Sequence, residues 1–212
     1  LRAVISGYQS ISLGETKCII SGGQENMSLA PHAIHLRDGQ KLGDAKLIDT
    51  MIQDGLWDAF NEYHMGVTAE NVAEKFQITR DEQDNFALNS QEKALDAQKH
   101  GKFDKEIINF KIKSKKGELD FNKDEHPREG INLESLSRLK PVFKNNGTVT
   151  AGNASGINDG AAAVTLMSEE EAKKKNIQKL VSIKSWASCG VDPSLMGTGP
   201  IPSSKKELDH LV

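Results

Sequence analysis

Cysteine is scarce in this chain: Cys18 and Cys189 are the only two among 212 residues. Two distant thiols exclude a disulfide scaffold and cannot alone build a structural zinc site; they suit a reducing compartment. No apolar run approaches the roughly 18 residues that a membrane-spanning helix needs. The formal net charge of −3 gives no basis for general nucleic-acid binding, although local basic patches remain open. No G-x-G-x-x-G follows a strand, no Walker A pattern occurs, and no Ser/His/Asp arrangement or nucleophile elbow is legible. His32 and His35 stand close together, but no third histidine or carboxylate lies at metal-ligand spacing, so no metal site is expected.

What is present describes a globular α/β chain. Apolar residues make up 37% and charged residues 27%, and the length suffices for one large or two small domains. Leu1, Val4, Ile5, Tyr8 and Ile11 follow a helical period that Gly14 ends. "TKCIISGG" then reads as a buried strand closing on a glycine pair, with Cys18 as a small core residue. Residues 27 to 50 are irregular, the kind of long loop that carries function or an interface. Two helices follow, "TAENVAEKFQ" and a longer one with Thr79 and Glu82 in capping-box spacing that stops at Gly101. Ile108, Phe110 and Ile112 alternate with polar residues as one arm of a hairpin. Residues 122 to 147 read as polar loop, "AAAVTLM" as a buried strand, and Ser168 to Lys175 as a short helix whose charges complement its dipole. "LVSIKSWASCGV" reads as a further strand, and "SSKKELDHLV" as a helix barely begun. Because both ends fall inside such patterns, the chain is expected to belong to a longer protein.

Three features leave alternatives open. "GNASGINDG", residues 152 to 160, is either a tight bend against another backbone or the wall of a site where side chains would exclude a ligand. Lys111, Lys113, Lys115 and Lys116, with Arg128 downstream, form either a solvated face or a phosphate dock. His64 sits beside Met65 just before a helix start, in a structural role or a site.

Five strings taken together decide the family expectation: "GGQENMSLAPH", "DGLWDAFNEYHMGVTAENVAEKF", "TRDEQDNFAL", "TVTAGNASGINDGAAAVTLMS" and "GVDPSLMGTGPIP". In this order and over essentially the whole chain, they resemble the thiolase family, most nearly its biosynthetic type. The resemblance implies a layered α-β-α-β-α thiolase fold with the inserted loop domain of its first half. Residues 1–26 and 154–180 would belong to the N-terminal half. Residues 27–153 would form the insert, comprising a tetramer loop and a coenzyme A cover, and 181–212 would open the C-terminal half.

The resemblance also implies residue roles. Leu56, His64 and Met65 would line the pantetheine and acyl tunnel. Arg128, Ser135, Leu139 and Phe143 would contact nucleotide and pantetheine. Ala154 and Ser155 would run beside the pantetheine, and Met196 would border the acyl pocket. The family's nucleophilic cysteine would precede Leu1 and its later histidine and cysteine motifs would follow Val212. No catalytic residue is therefore expected here, and the chain alone is expected to be inactive. Gln91 stands where potassium-dependent members carry tyrosine, which argues against a potassium site.

The activity implied is condensation of two acetyl-CoA to acetoacetyl-CoA and coenzyme A, or the reverse, with no cofactor beyond these substrates. A homotetramer without nucleic-acid or membrane partners is implied, cytoplasmic or mitochondrial. A thiolase-like acyl-CoA binder without activity, or a degradative thiolase for longer chains, are the alternatives.

Overall fold

The computed structural model describes residues 1–115 and 117–209. Lys116 of the lysine cluster and His210 to Val212 at the end of the last expected helix lie outside them. The chain divides into two compact units, Leu1–Thr68 with Gly156–Val212, and Ala69–Ser155. Residues 27 to 68 of the expected insert thus fall in the first unit.

The first unit is organised by helix α1 (Arg2–Ser12) lying on a two-stranded ladder of β1 (Cys18–Glu25) and β8 (Gly160–Met167). The strands are antiparallel, with Cys18 opposite Met167 and Glu25 opposite Gly160. Gly7 is the point of closest approach: a Cβ there would collide with the Ser21 hydroxyl and crowd Leu166 and Ile19.

Only one face of this ladder is covered among the described residues. On the face away from α1, Ile20 is 74% exposed; Val164, opposite the buried Ser21 on the α1 side, is still 47% exposed. This corrects two expectations. Cys18 is exposed at the first position of β1 rather than buried mid-strand, and Ala161 to Val164 are exposed rather than core. The glycine pair also lies within the strand, which continues to Glu25. Both apolar runs were read correctly as strands, but burial depends on what packs against each face.

Residues 27 to 50 are mostly irregular. A minimal ladder of β2 (His32–Ala33) with β3 (Ile48–Asp49) closes them, and the Thr50 N–H and hydroxyl both donate to the Pro31 carbonyl. At their base the Ser28 N–H donates to the Asp159 carboxylate at 2.9 Å. That bond is the main cause holding the Asp159 pKa below its ordinary value. A π-helical turn (Met51–Leu56) leads into the short hairpin of β4 (Trp57–Asp58) and β5 (Tyr63–His64). Helix α5 (Glu169–Lys174) is capped by Ser168, as read, with acidic residues in its first turn and lysines in its last. The expected strand at 180–191 has no ladder partner among the described residues, and a strand without one leaves its backbone groups unpaired. A 3₁₀ turn (Pro193–Thr198) and helix α6 (Pro200–Asp209) follow, the helix opening on a proline whose missing N–H is not needed there.

Helix α2 (Met65–Phe76) runs from the first unit into the second. There α3 (Arg80–Lys99) begins at the expected capping box, with Thr79 and Glu82 bonding reciprocally. A hairpin of β6 (Phe110–Ser114) and β7 (Gly117–Phe121) follows. Residues 122 to 147 are not all loop, because α4 (Leu133–Ser137) forms within them. Its signal was a second capping box, Asn132 with Ser135, in which Ser135 replaces the usual acidic partner.

Leu136 of α4 is 1% exposed and Thr150 fully buried. They pack where the chain approaches Gly152, whose Cβ would stand 2.5 Å from Leu136 and 2.6 Å from Leu139. Gly152→Val is therefore expected to destabilise the protein by about 2 kcal/mol, the range of an over-packed core. An unchanged thermal midpoint would contradict this packing.

Candidate functional site

In the first unit, the pairing of Trp57 with His64 and Asp58 with Tyr63 fixes the β4–β5 hairpin. Leu56 ends the π-helical turn just before β4, and Met65 opens α2 just after β5. These two and His64 are all half-buried. The Gly66 N–H donates to His64 Nδ1 at 2.9 Å, so Nδ1 is an acceptor and the ring proton of the neutral form sits on Nε2. Burial holds the His64 pKa below the ordinary histidine value. Near neutral pH this ring is an uncharged Nε2–H donor. Met196 lies on the separate 3₁₀ turn and is 42% exposed.

The second unit carries the other six expected site residues. Ala154 and Ser155 are exposed at the end of a turn in which the Asn153 and Ala154 N–H groups both donate to the Thr150 carbonyl. Leu139 closes against Gly152 and so lies next to that turn. Ser135 spends its hydroxyl on the α4 cap: the oxygen accepts from Asn132 N–H and the O–H donates to the Asn132 carbonyl. Phe143 is half-buried.

Arg128 is exposed, and no ion pair engages its guanidinium among the described residues, whereas Arg80 pairs with Asp84 and Arg138 with Glu134. A cation without a carboxylate partner is suited to an external anion. The lysine cluster differs. Lys113 lies opposite Glu118 and Lys111 opposite Asp120, and Lys111 also reaches Glu118 at 3.4 Å. Acids on the neighbouring strand favour the solvated-face reading.

Sequence reasoning missed the residues that hold this surface. Asn153 Nδ2 donates to the Asp84 carboxylate and to the Thr148 carbonyl, both at 3.0 Å, and its Oδ1 accepts from Thr150 N–H at 2.8 Å. Asp84 is 3% exposed and also receives Arg80 Nε at 2.7 Å. The same guanidinium donates to the Leu136 carbonyl at 2.7 Å and the Leu139 carbonyl at 3.2 Å. Glu70, 4% exposed, accepts the N–H groups of Thr148 and Val149 and the Thr148 hydroxyl. The Arg80–Asp84 pair at helical i, i+4 spacing was the one visible clue; Asn153 with Asp84 and Glu70 with Thr148 are distant in sequence.

Among the described residues, no group of three or more His, Cys, Asp or Glu side chains could hold a metal. No helix there is long and apolar enough to cross a membrane.

The family model "Thiolase, N-terminal domain" matches residues 1–170. The chain belongs to the thiolase family. It is 59% identical over 209 residues to an acetyl-CoA acetyltransferase of Rhizobium meliloti, covering 99% of this chain and 53% of that one. It is 51% identical to the cytosolic acetyl-CoA acetyltransferase of Rattus norvegicus, covering 97% and 52%. The chain thus spans about half the length of the curated relatives it matches.

Among solved structures, the Bacillus anthracis acetyl-CoA acetyltransferase superposes with a TM-score of 0.92 at 45% identity, over 99% of this chain and 53% of that one. The human mitochondrial 3-ketoacyl-CoA thiolase has the same TM-score and coverage at 42% identity. The thiolase fold expected from the motifs is the fold of this chain.

Two outcomes test the site's electrostatics. Because burial depresses the His64 pKa, the unfolded chain binds this proton more readily than the folded one. The stabilising contribution of neutral His64 is complete above the unfolded value of about 6.5 and falls as pH drops towards the lower folded value. An NMR titration of the ring should show a midpoint below that of free histidine; a midpoint at or above it refutes the burial argument. Separately, Arg80→Met leaves a buried Asp84 charge without its cation and is expected to cost about 3 kcal/mol in a denaturant melt.

Proposed function

We propose that this chain works within an acetyl-CoA C-acetyltransferase, which joins two acetyl-CoA into acetoacetyl-CoA and coenzyme A or runs the reverse thiolysis. The observation that carries this reading is identity above 50% along nearly the whole chain to relatives bearing that name. The fold alone does not choose the acyl-chain length, since a 3-ketoacyl-CoA thiolase superposes equally well.

The chain's own residues suit a ligand with an anionic nucleotide end and a narrow thiol-bearing arm. Arg128 would meet phosphate oxygens, and the exposed Ala154–Ser155 edge would let the pantetheine lie close to backbone. Ser135, Leu139 and Phe143 would complete that flank. Leu56, Met65 and Met196 would border the acyl end, where neutral His64 can donate from Nε2 without adding charge. The reaction divides acyl transfer into two steps: a cysteine thiolate takes the acetyl group from the first thioester and releases coenzyme A. A second acetyl-CoA then loses its α-proton, and the resulting carbanion attacks the acetyl-enzyme and expels the thiolate. Negative charge on the thioester oxygen calls for hydrogen-bond donors in both steps. We assign the nucleophile to neither Cys18 nor Cys189.

Residues 27–153 would act as the insert of the first thiolase half. In its irregular early part, Leu29, Leu42 and Leu47 are exposed at 79%, 94% and 60%, the kind of apolar surface that association covers. A homotetramer, no cofactor beyond the coenzyme A substrates, and a cytoplasmic location complete the reading.

Thiolysis by the full-length protein should have its highest kcat/KM with acetoacetyl-CoA, falling with longer 3-ketoacyl chains. A profile that rises with chain length supports the degradative type, and absence of turnover a binding protein. Ser155→Trp should raise the KM for coenzyme A at least about tenfold by filling the space beside the turn, a loss worth roughly 1.4 kcal/mol. An unchanged KM removes Ser155 from the site.

A further inference from the structure

Arg128 sits in a stretch, residues 122 to 132, that no helix or ladder supports. A backbone held only by solvent would lose conformational freedom on meeting an anion, and that cost would weaken binding. Two side chains of α3 remove this freedom. Gln91 Oε1 accepts the Arg128 N–H at 2.9 Å, and Gln98 Nε2 donates to the Asp124 carbonyl at 2.9 Å. Within the stretch, His126 N–H closes onto the Asp124 carboxylate at 2.9 Å. Gln91 and Gln98 are two helical turns apart and therefore share one face of α3. Both side chains are half-buried, and the two bonds they make are exposed.

We propose that Gln91 is a positioning residue for Arg128. Its side-chain carbonyl fixes the backbone that carries the unpaired guanidinium, with Gln98 as the second anchor, so that the cation is preorganised for the phosphate groups of a coenzyme A-type ligand. This rests on the reading of Arg128 as a phosphate contact. The bond engages the arginine's backbone and leaves its guanidinium free, which a carboxylate partner such as that of Arg138 would not.

The test uses the full-length protein with coenzyme A as the probe. Gln91→Met keeps side-chain length but removes the acceptor. It is expected to speed hydrogen exchange across residues 124–130 and to raise the coenzyme A Kd about fivefold, the scale of one lost hydrogen bond. The saturated kcat should stay within about twofold, since Gln91 touches no reacting group. Gln91→Glu retains an acceptor oxygen and should restore slow exchange; failure to do so attributes the effect to packing and overturns the proposal. Unchanged exchange in Gln91→Met also overturns it, as does faster exchange with an unchanged Kd. Arg128→Ala separates the two readings. If it leaves the Kd unchanged, the phosphate-contact reading itself fails. If it weakens binding while Gln91→Met does not, only the positioning role fails.

Discussion

The second unit depends on a buried carboxylate being fully paired. Asp84 is taken out of water, where an uncompensated charge would cost several kcal/mol, and is satisfied by Arg80 from one side and Asn153 from the other. Each partner is then committed elsewhere as well. Arg80 draws in the Leu136 and Leu139 carbonyls, and Asn153 draws in the Thr148 carbonyl and the Thr150 N–H. One charge thereby ties α3, the end of α4 and the turn before Ala154 into a single arrangement. Coulombic attraction alone would not give this specificity; the directions of the Asn153 amide and the guanidinium do.

The same logic explains why α3 is so polar. A helix with only a slight apolar stripe needs another reason to stay packed. Arg80, Asp84, Gln91 and Gln98 fall within about 40° of one another around the axis at 100° per residue, so the inner face, which also carries half-buried Ala87, Leu88, Ala94 and Leu95, includes a polar stripe that binds backbone. Its upper part holds α4 and the 150–154 turn; its lower part holds 124 to 128. Loop segments have few apolar side chains to bury, and their unmet needs are N–H and C=O groups. A stripe of amide and charged side chains answers those needs where leucines could not.

This bears on what the sequence disclosed. Periodicity and capping found α1, α3 and α5 because those signals are local, and the five family strings found the fold because they occur together and in order along the whole chain. Burial was misread at Cys18 and at Ala161 to Val164, since an apolar run marks a strand but not whether anything covers its faces. The strand expected at 180–191 is a similar case, a pattern whose ladder partner is not among the described residues. Helix α4 was missed because its cap uses Ser135 in place of an acid. Glu70 and Asn153 were invisible for a different reason: their partners lie about seventy residues away, as in Glu70 with Thr148 and Asn153 with Asp84, and nothing in composition marks such a pair.

Packed and exposed positions divide sharply within the glycine-rich turn. Gly152 is small because Leu136 and Leu139 occupy the space its Cβ would need. Asn153 is polar because it must face Asp84 and two backbone groups at once. Ala154 and Ser155 have neither obligation: they are exposed, and the turn delivers them to the surface with their backbone direction already set by the Thr150 carbonyl. Small size at 152 is thus a packing requirement, while at 154 and 155 it leaves open surface beside a rigid backbone. A ligand that approaches there meets polar groups whose ordering was settled on folding, so less freedom is lost on contact. The buried Asp84 network and the exposed edge are parts of one device, with the cost of fixing the edge borne by the fold.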